Sequence, residues 1–462
     1  MAPLYELVIT NGEVCLPSGR IMADIAVDEG KVVAVASPGE VSGLRTLDAR
    51  GLTILPGIVH THVHMREPGF EHKEDYESGT KAAAAGGVTC TIDMPNVTPP
   101  TTTVERYMEK RDLAATKAYV DYQHWPAPAT PEEVLRLAAL GIVPGLKEFM
   151  VQDPKAKYPH LPELAMGHHG QLFKVMRAAA EAGFNMLVHG ADSDLMHAMA
   201  EPFLNDGHYS ARHRAYDFNG WWFASRDIGS QMAILLARLA RMKIHVLHMG
   251  NGRHTHTFVR RAKEEGQNLT AEMEGTWLIE PQSNPEIRRS LEIGYYQPEC
   301  KYTEELWQAV NDGTTDVLQM EHAPHRKEEM LSGEHDIWHC PAGLPALQEM
   351  LPLFLTQVNK GRTSLENLVK LTAENPAKLA CLYPRKGTIQ PGSDADFAIV
   401  DLKAQVILSH ENVISKAGYT AWPGYEVTGM PVYTLVRGEI VMDHGKIVGK
   451  KGHGQFVPAQ YR

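Results

Sequence analysis

The chain has 462 residues, a formal charge of −11, 43% hydrophobic and 22% charged residues. This length supports a large core, and the acidic balance argues against nucleic acid or an anionic membrane surface as a partner. No apolar run is long enough to span a membrane and no basic-then-apolar leader opens the chain; Cys15, Cys90, Cys300, Cys340 and Cys381 are too scattered for a disulfide framework, which points to a reducing, cytoplasmic setting.

The N-terminal segment reads as β-structure. Tyr5–Ile9 precedes Asn11-Gly12, a hairpin-turn pair, and Asp24–Val27 and Lys31–Val35 flank a second turn at Asp28-Glu29-Gly30. Leu52–Val59 follows as a buried apolar strand interrupted only by Pro56-Gly57. It runs into His60-Thr61-His62-Val63-His64. Side chains alternate along a strand, so three imidazoles at spacing two face one side. Neutral imidazole nitrogens at fixed spacing suit zinc or a similar divalent ion.

Strand and helix signals then alternate. Val88–Ile92, Ala118–Tyr122, Ile142–Phe149, Asn185–Val188, Lys243–Leu247, Leu269–Ala271 and Asp316–Leu318 read as strands. Glu132–Ala139, Leu172–Ala182, Ser230–Ala240 and Thr303–Asn311 read as amphipathic helices between them. With the first strand this makes about eight β/α units, the count of a closed parallel barrel of the α/β class, whose active site lies at the C-terminal strand ends. Hairpin patterns return in Asp396–Val400, Val432–Val436 and Ile440–Met442. The expected organisation is a (β/α)8 catalytic barrel over residues 56–385, with residues 1–55 and 386–462 forming one small β-sandwich.

Polar residues collect at the strand ends. His62 and His64 close the first strand, Lys147 lies at the fourth, His189 at the fifth and His248 at the sixth, while Glu321-His322-Ala323-Pro324-His325 follows the eighth. Singly, each has an ordinary explanation: a hydrogen-bonded core histidine or a solvated lysine. Their joint occurrence in barrel order is the functional signal.

These motifs resemble the cyclic amidohydrolases of the dihydroorotase, allantoinase and hydantoinase group, and the resemblance covers nearly the whole chain. It is carried by Pro56-Gly57 through Arg66-Glu67-Pro68-Gly69, by Glu71–Asp75, Ala85–Thr89, Asp93-Met94-Pro95-Asn96 and His322–His325. Arg66–Gly69 and Met94–Asn96 look most like the dihydroorotase branch. The resemblance implies hydrolysis of a small cyclic amide at a divalent metal centre of one or two ions, zinc or manganese. His62 and His64 would hold one ion, His189 and His248 a second, and a carboxylated Lys147 would bridge them. A lysine cation would repel the ions, whereas a carbamate is an anion with two oxygen donors. Glu321 would be the acid–base group or a ligand, and His60 an additional ligand or a residue behind the ligands. Arg66, Asn96 and His325 would bind a substrate carboxylate, for which a planar guanidinium is well shaped. The expected partners are that substrate and further copies of the chain, as a dimer or tetramer.

Four features depart from the family pattern. His60 and Glu321 stand where Asp is usual, Met273-Glu274-Gly275-Thr276-Trp277 replaces a motif ending Cys-Pro-His-Tyr, and Gly250 replaces a Ser. Competing readings are a hydantoinase, allantoinase or cyclic imide hydrolase acting on another ring, and a non-catalytic scaffold. The five retained ligand-type residues speak against the scaffold, and Lys147 against a mononuclear deaminase. Trp221-Trp222-Phe223 reads equally as a lid or a subunit contact. His254 and His256 read as a helix start, and His168, His169 and His335 as surface loop.

Overall fold

A computed structural model describes residues 4–150, 162–207, 219–279, 302–331, 341 and 343–461, the side chains of residues 162 and 219–222 excepted. His335, Cys300 and Cys340 lie outside the described residues, as do the side chains of Trp221 and Trp222.

The N-terminal segment forms β1 (Leu4–Leu16), β2 (Gly19–Asp28), β3 (Lys31–Ala36), β4 (Ser42–Asp48) and β5 (Thr53–Pro56). Asn11-Gly12 is not the expected turn. β1 runs straight through it, the pairing with β2 slips between Ile9 and Gly12, and Asn11 takes φ 61°. The residue types that suit a tight turn suit a β-bulge for the same reason, a positive φ. The chain reverses after Leu16 instead. The turn at Glu29-Gly30 joins β2 to β3, both residues having positive φ.

The eight barrel strands are β6 (Ile58–Val63), β7 (Val88–Asp93), β8 (Asp121–His124), β9 (Leu146–Phe149), β10 (Asn185–His189), β11 (Lys243–Met249), β12 (Leu269–Glu274) and β13 (Val317–Gln319). They pair in parallel as β6-β7-β8 and as β9 through β13. Backbone hydrogen bonds join the two arcs: Lys147 N–H to the Pro126 carbonyl at 2.8 Å on one side, and His64 N–H to the His322 carbonyl at 2.8 Å on the other. The helices Tyr76–Ala85, Val104–Ala115, Pro131–Ala139, His169–Glu181, Asn219–Ala240, Thr255–Glu264 and Thr303–Asn311 alternate with these strands. This is the expected (β/α)8 arrangement.

The run Leu52–Val59 is not one strand. β5 pairs with β1, whereas β6 pairs with β7, and Gly57 is the break between sheet and barrel. A Cβ at Gly57 would lie 2.1 Å from Thr89 Oγ1, so no larger residue can make this crossing without displacing β7.

The C-terminal strands β14 (Phe397–Ile407), β15 (Glu426–Val436), β16 (Glu439–Asp443) and β17 (Lys446–Ile447) complete the second unit. β14 pairs antiparallel with β5, which joins the two terminal segments in one nine-stranded sheet. Leu7, Ile9, Val14 and Ile25 share a core with Phe397, Ile399 and Leu435. The tail after β17 returns to the barrel, where Val457 N–H donates to the Tyr122 carbonyl at 2.9 Å.

Three carboxylates gather at the start of β8: Asp121, Asp394 and Asp396. Their cation is internal. The fully buried Lys386 Nζ lies 2.5 Å from Asp121, 2.6 Å from Asp396 and 2.9 Å from Asp394. Arg437 adds a further bond to Asp121. This network clamps the sheet to the barrel at the end opposite the C-terminal strand ends.

Glu349 is a buried carboxyl that accepts a hydrogen bond from Thr420 Oγ1 at 2.6 Å. Burial pushes it up from 4.5 to about 7, and the Thr420 bond opposes that only in part. The folded state therefore holds a proton that the unfolded chain has lost. Its contribution is intact below the unfolded value of 4.5 and is lost as pH rises through about 7. Glu349→Gln should flatten this part of the stability profile. At pH 8 it should gain stability on the order of 2–3 kcal/mol, with little change at pH 4. Chemical denaturation at both pH values checks this; equal effects at both would exclude it.

Candidate active site

The C-terminal ends of the barrel strands bring together most of the residues singled out in the sequence. His62 lies within β6 and His64 just past it, Lys147 in β9, His189 at the end of β10, His248 in β11, and Glu321 just past β13. All five histidine and lysine side chains are buried, while the Glu321 side chain keeps 17% exposure. A carboxylate that reaches open space beside buried bases is placed to meet a substrate.

Glu321 is the hub. Its Oε1 lies 2.8 Å from His64 Nε2 and 3.7 Å from His62 Nε2, and its Oε2 lies 3.8 Å from His248 Nδ1. His189 Nδ1 and His248 Nε2 meet at 2.8 Å, and Arg226 donates to His189 Nε2 and to the Gly190 carbonyl. His248 takes φ 60°, a region histidine rarely occupies. Strain of this kind persists where the surroundings fix a side chain for a task.

His60 faces elsewhere. Its Nε2 donates to the Met320 carbonyl at 3.0 Å and its Nδ1 accepts the His62 N–H at 3.3 Å. Both ring nitrogens are thus engaged by backbone below the cluster, which places His60 behind His62 and His64.

Two residues enter the cluster from β12: Glu272, which the sequence did not single out, and Glu274, which it showed only as part of an altered motif. Glu272 Oε1 lies 2.8 Å from His62 Nδ1. Glu274 accepts the Glu321 N–H at 3.1 Å and the Thr276 hydroxyl at 3.1 Å. A glutamate in a short strand ordinarily signals a solvent face. The available clue was the spacing of two, which points Glu272 and Glu274 to the same side as the strand's inward residues.

The departures at Gly250 and Trp277 are one structural change. The Trp277 indole covers Gly250, where a Cβ would come within 2.7 Å of the ring, and Gly250 has φ 110°. Trp277 Nε1 donates to Asn251, and Phe223 packs against the indole with ring centroids 5.4 Å apart. Phe223 therefore packs toward the end of β12 rather than standing free.

Burial dominates the electrostatics. The His62 imidazolium is disfavoured down to about 4, by burial first, with Glu321 opposing and Lys147 reinforcing. His64 and His248 are pushed well below the usual histidine range, again mainly by burial. Lys147 is lowered to about 7 by burial; Glu321, Glu148 and Glu272 oppose the shift and Arg226 adds to it. Its Nζ contacts the Glu148 carbonyl at 3.2 Å and sits 3.8 Å from the centre of the Phe149 ring. Glu272 and Glu274 are both pushed well up, by burial and by neighbouring carboxylates. Neutral imidazoles, a lysine close to neutrality and crowded carboxylates are mutually unfavourable without a cation and favourable around one.

The donor set fits a divalent ion. His62, His64 and Glu321 form one group, His62, His248 and Glu272 a second, and His248, Glu274 and Glu321 a third, with the ligand atoms in each group within 4.8 Å of one another. His248 Nδ1 and Glu272 Oε2 are buried with no hydrogen-bond partner among the described residues.

Beside this cluster lie the residues expected to bind a carboxylate. Arg66 is 1% exposed and has φ 62°. Its Nε donates to the Pro324 carbonyl and its Nη2 meets His325 Nε2, both at 3.1 Å. Lys73 Nζ lies 3.1 Å from His325 Nδ1 and 2.9 Å from Glu329. Asn96 Oδ1 meets His64 Nδ1 at 2.6 Å, which links this group to the cluster. Asp93 holds the connecting loop by accepting Met65 N–H and pairing with the buried Lys110. His256 lies away from the site, 3.6 Å from Glu305.

The family model for amidohydrolases matches residues 53–441. The chain belongs to the amidohydrolase family. This amidohydrolase is 31% identical over 460 residues to an L-hydantoinase of Paenarthrobacter aurescens, covering 98% of each chain. It is 32% identical over 459 residues to an allantoinase of Streptomyces avermitilis, covering 97% of this chain and 98% of that one. Against a dihydroorotase of Methanothermobacter thermautotrophicus it is 29% identical over 472 residues, covering 99% and 98%. The solved L-hydantoinase (dihydropyrimidinase) from Arthrobacter aurescens superposes with a TM-score of 0.89 at 29% identity, covering 98% of this chain and 100% of that chain. The amidohydrolase is an enzyme of the cyclic amidohydrolase group, as its motifs imply. Relatives named for three different activities match at 29–32% identity, so the ring must be argued from the site.

Proposed function

We propose that this amidohydrolase opens a small cyclic amide or ureide bearing a carboxylate a few bonds from the scissile C–N bond. His62, His64, Lys147, His189 and His248 would hold one or two divalent ions, with zinc the ion best suited to imidazole and carboxylate oxygen donors and manganese an alternative. When bound, such an ion would acidify a water molecule and polarise the ring carbonyl. Glu321 would take the proton of the attacking water on a carboxylate oxygen and deliver it to the departing ring nitrogen. Its contact with His64 and its partial exposure support that role.

One observation carries the substrate reading: the buried Arg66 guanidinium, set against His325 and close to the Asn96–His64 pair. Burial lowers it to about 10, with Glu321, Asp93, Glu329 and Glu74 opposing, so it is still a cation at neutral pH. A buried cation is strongly stabilised by an incoming anion. Lys73 extends the basic character of this corner.

Arg66→Met should therefore lower kcat/KM on a carboxylate-bearing ring by roughly ten- to a hundredfold, the cost of a charged hydrogen bond. An unsubstituted hydantoin or cyclic imide should lose much less. Steady-state kinetics on both rings test this. Equal losses would reject the anion pocket and favour the second reading, a hydantoinase- or allantoinase-like enzyme acting on a neutral ring. That reading draws support from the relatives bearing those names.

A further inference from the structure

We infer that Glu272 is a positioning residue: through its contact with Nδ1 it turns the Nε2 lone pair of His62 into the metal cluster. This rests on the proposed metal centre and assigns Glu272 a role other than that of the five ligands proposed there.

A neutral imidazole carries one proton, on either ring nitrogen, and only the other nitrogen has a lone pair to give. Glu272 Oε1 lies 2.8 Å from His62 Nδ1, and both side chains are essentially sealed from solvent. His62 Nε2 faces Glu321 Oε1 at 3.7 Å. A cation on Nε2 requires the proton to stay on Nδ1, and in that tautomer Glu272 is the acceptor.

The neighbouring histidines supply both a parallel and a contrast. His64 Nδ1 donates to Asn96 Oδ1 at 2.6 Å, and its Nε2 faces the same Glu321 oxygen at 2.8 Å. Each of these two histidines is thus gripped at Nδ1 by an oxygen from another element, and each presents Nε2 to one point. His60, at the same spacing along the chain, has its Nε2 on the Met320 carbonyl and its Nδ1 on a backbone N–H. The difference between two presented rings and one turned away lies in the oxygen that each Nδ1 meets.

Glu272 differs from Asn96 in being ionisable. As a carboxylate beside a bound ion it would raise the basicity of the ring it holds and offset part of the ion's charge, which a neutral amide cannot do. Its placement is otherwise costly. Glu272 is fully buried, and its Oε2 has no partner among the described residues. A carboxylate serving packing alone would be expected to have both oxygens bonded.

The test is zinc affinity, measured on metal-free protein by competition with a chromophoric chelator, for wild type, Glu272→Gln and Glu272→Ala. Loss of an outer partner of a metal-bound histidine costs roughly 10–100-fold in affinity. Glu272→Gln, which keeps the shape and an acceptor but loses the charge, should fall near the lower figure and Glu272→Ala near the upper. The visible spectrum of the cobalt-loaded protein should shift in both. Glu272→Gln is nearly isosteric and carries the test if Glu272→Ala does not fold. Wild type that binds zinc tightly, with Glu272→Gln binding within twofold of it, would overturn the positioning role. A lower Tm of the metal-free variant with unchanged affinity would do the same, by assigning Glu272 to the fold. Wild type that binds no zinc would instead overturn the metal reading on which this rests.

Discussion

Lys147→Met is expected to abolish tight metal binding and catalysis together. Lys147 is wholly buried and held close to neutrality, lowered to about 7 mainly by burial. A neutral amine is the form that combines with carbon dioxide, and the proposed carbamate would bring two oxygen donors and a negative charge in among the imidazoles. Without it, the histidines face one another around the partly exposed Glu321, with the buried Glu272 against His62. Removal of a ligand should cost more than the roughly 10–100-fold that loss of an outer partner does. Metal content per chain after dialysis is the measurement. A small carboxylate added to Lys147→Ala should restore part of the binding, because it can occupy the vacated place. Intact wild type should also carry the added mass of one carbon dioxide on Lys147 under native conditions. Wild-type metal content in Lys147→Met would rule out a bridging lysine.

The barrel and the His, Lys and Glu side chains at its strand ends were legible in the sequence because both rest on short-range rules. Short apolar runs such as Met186-Leu187-Val188 are buried in a parallel barrel, and they are found as such. His62, Lys147, His189 and His248 stand on those strands, so their convergence follows from closure. What stayed hidden depends on contacts between distant segments. Gly57 breaks the run Leu52–Val59 because Thr89, on another strand, leaves no room for a Cβ. Asn11-Gly12 carries the chemistry of a turn, but pairing with β2 on both sides makes it a bulge. His60 has the spacing of a ligand, and only the Met320 carbonyl reveals that its ring is engaged elsewhere. Glu272 and Glu274 look like solvent-facing residues until β12 is placed next to β13. The Gly250 and Trp277 departures read as two changes in the sequence and prove to be one, since the indole fills the space that any side chain at 250 would need.

Glu321→Gln is expected to lower kcat by at least about a hundredfold, the low end for lost acid–base catalysis. The substitution keeps the length and the hydrogen bonding of the side chain but cannot accept the proton of an attacking water at neutral pH. Its second consequence separates two roles. If Glu321 acts only on the proton, metal content should stay at the wild-type value while kcat falls. If it is also a ligand, as its contacts with His64, His62 and His248 allow, metal affinity should fall as well. Measuring both in the same preparation distinguishes these cases, and wild-type turnover would assign the proton transfer elsewhere. Glu321→Asp asks what the extra methylene does. The backbone N–H of Glu321 is tied to the Glu274 carboxylate at 3.1 Å, so the chain cannot readily advance to compensate for a shorter side chain. A shift of about 1 Å in a reacting group can cost roughly a hundredfold in rate. Glu321→Asp should therefore be slow as a single change. Combining it with Glu274→Thr, which releases the backbone tie, should recover part of the loss. A double variant no faster than Glu321→Asp alone would show that the long carboxylate and its β12 partner are not a coupled pair.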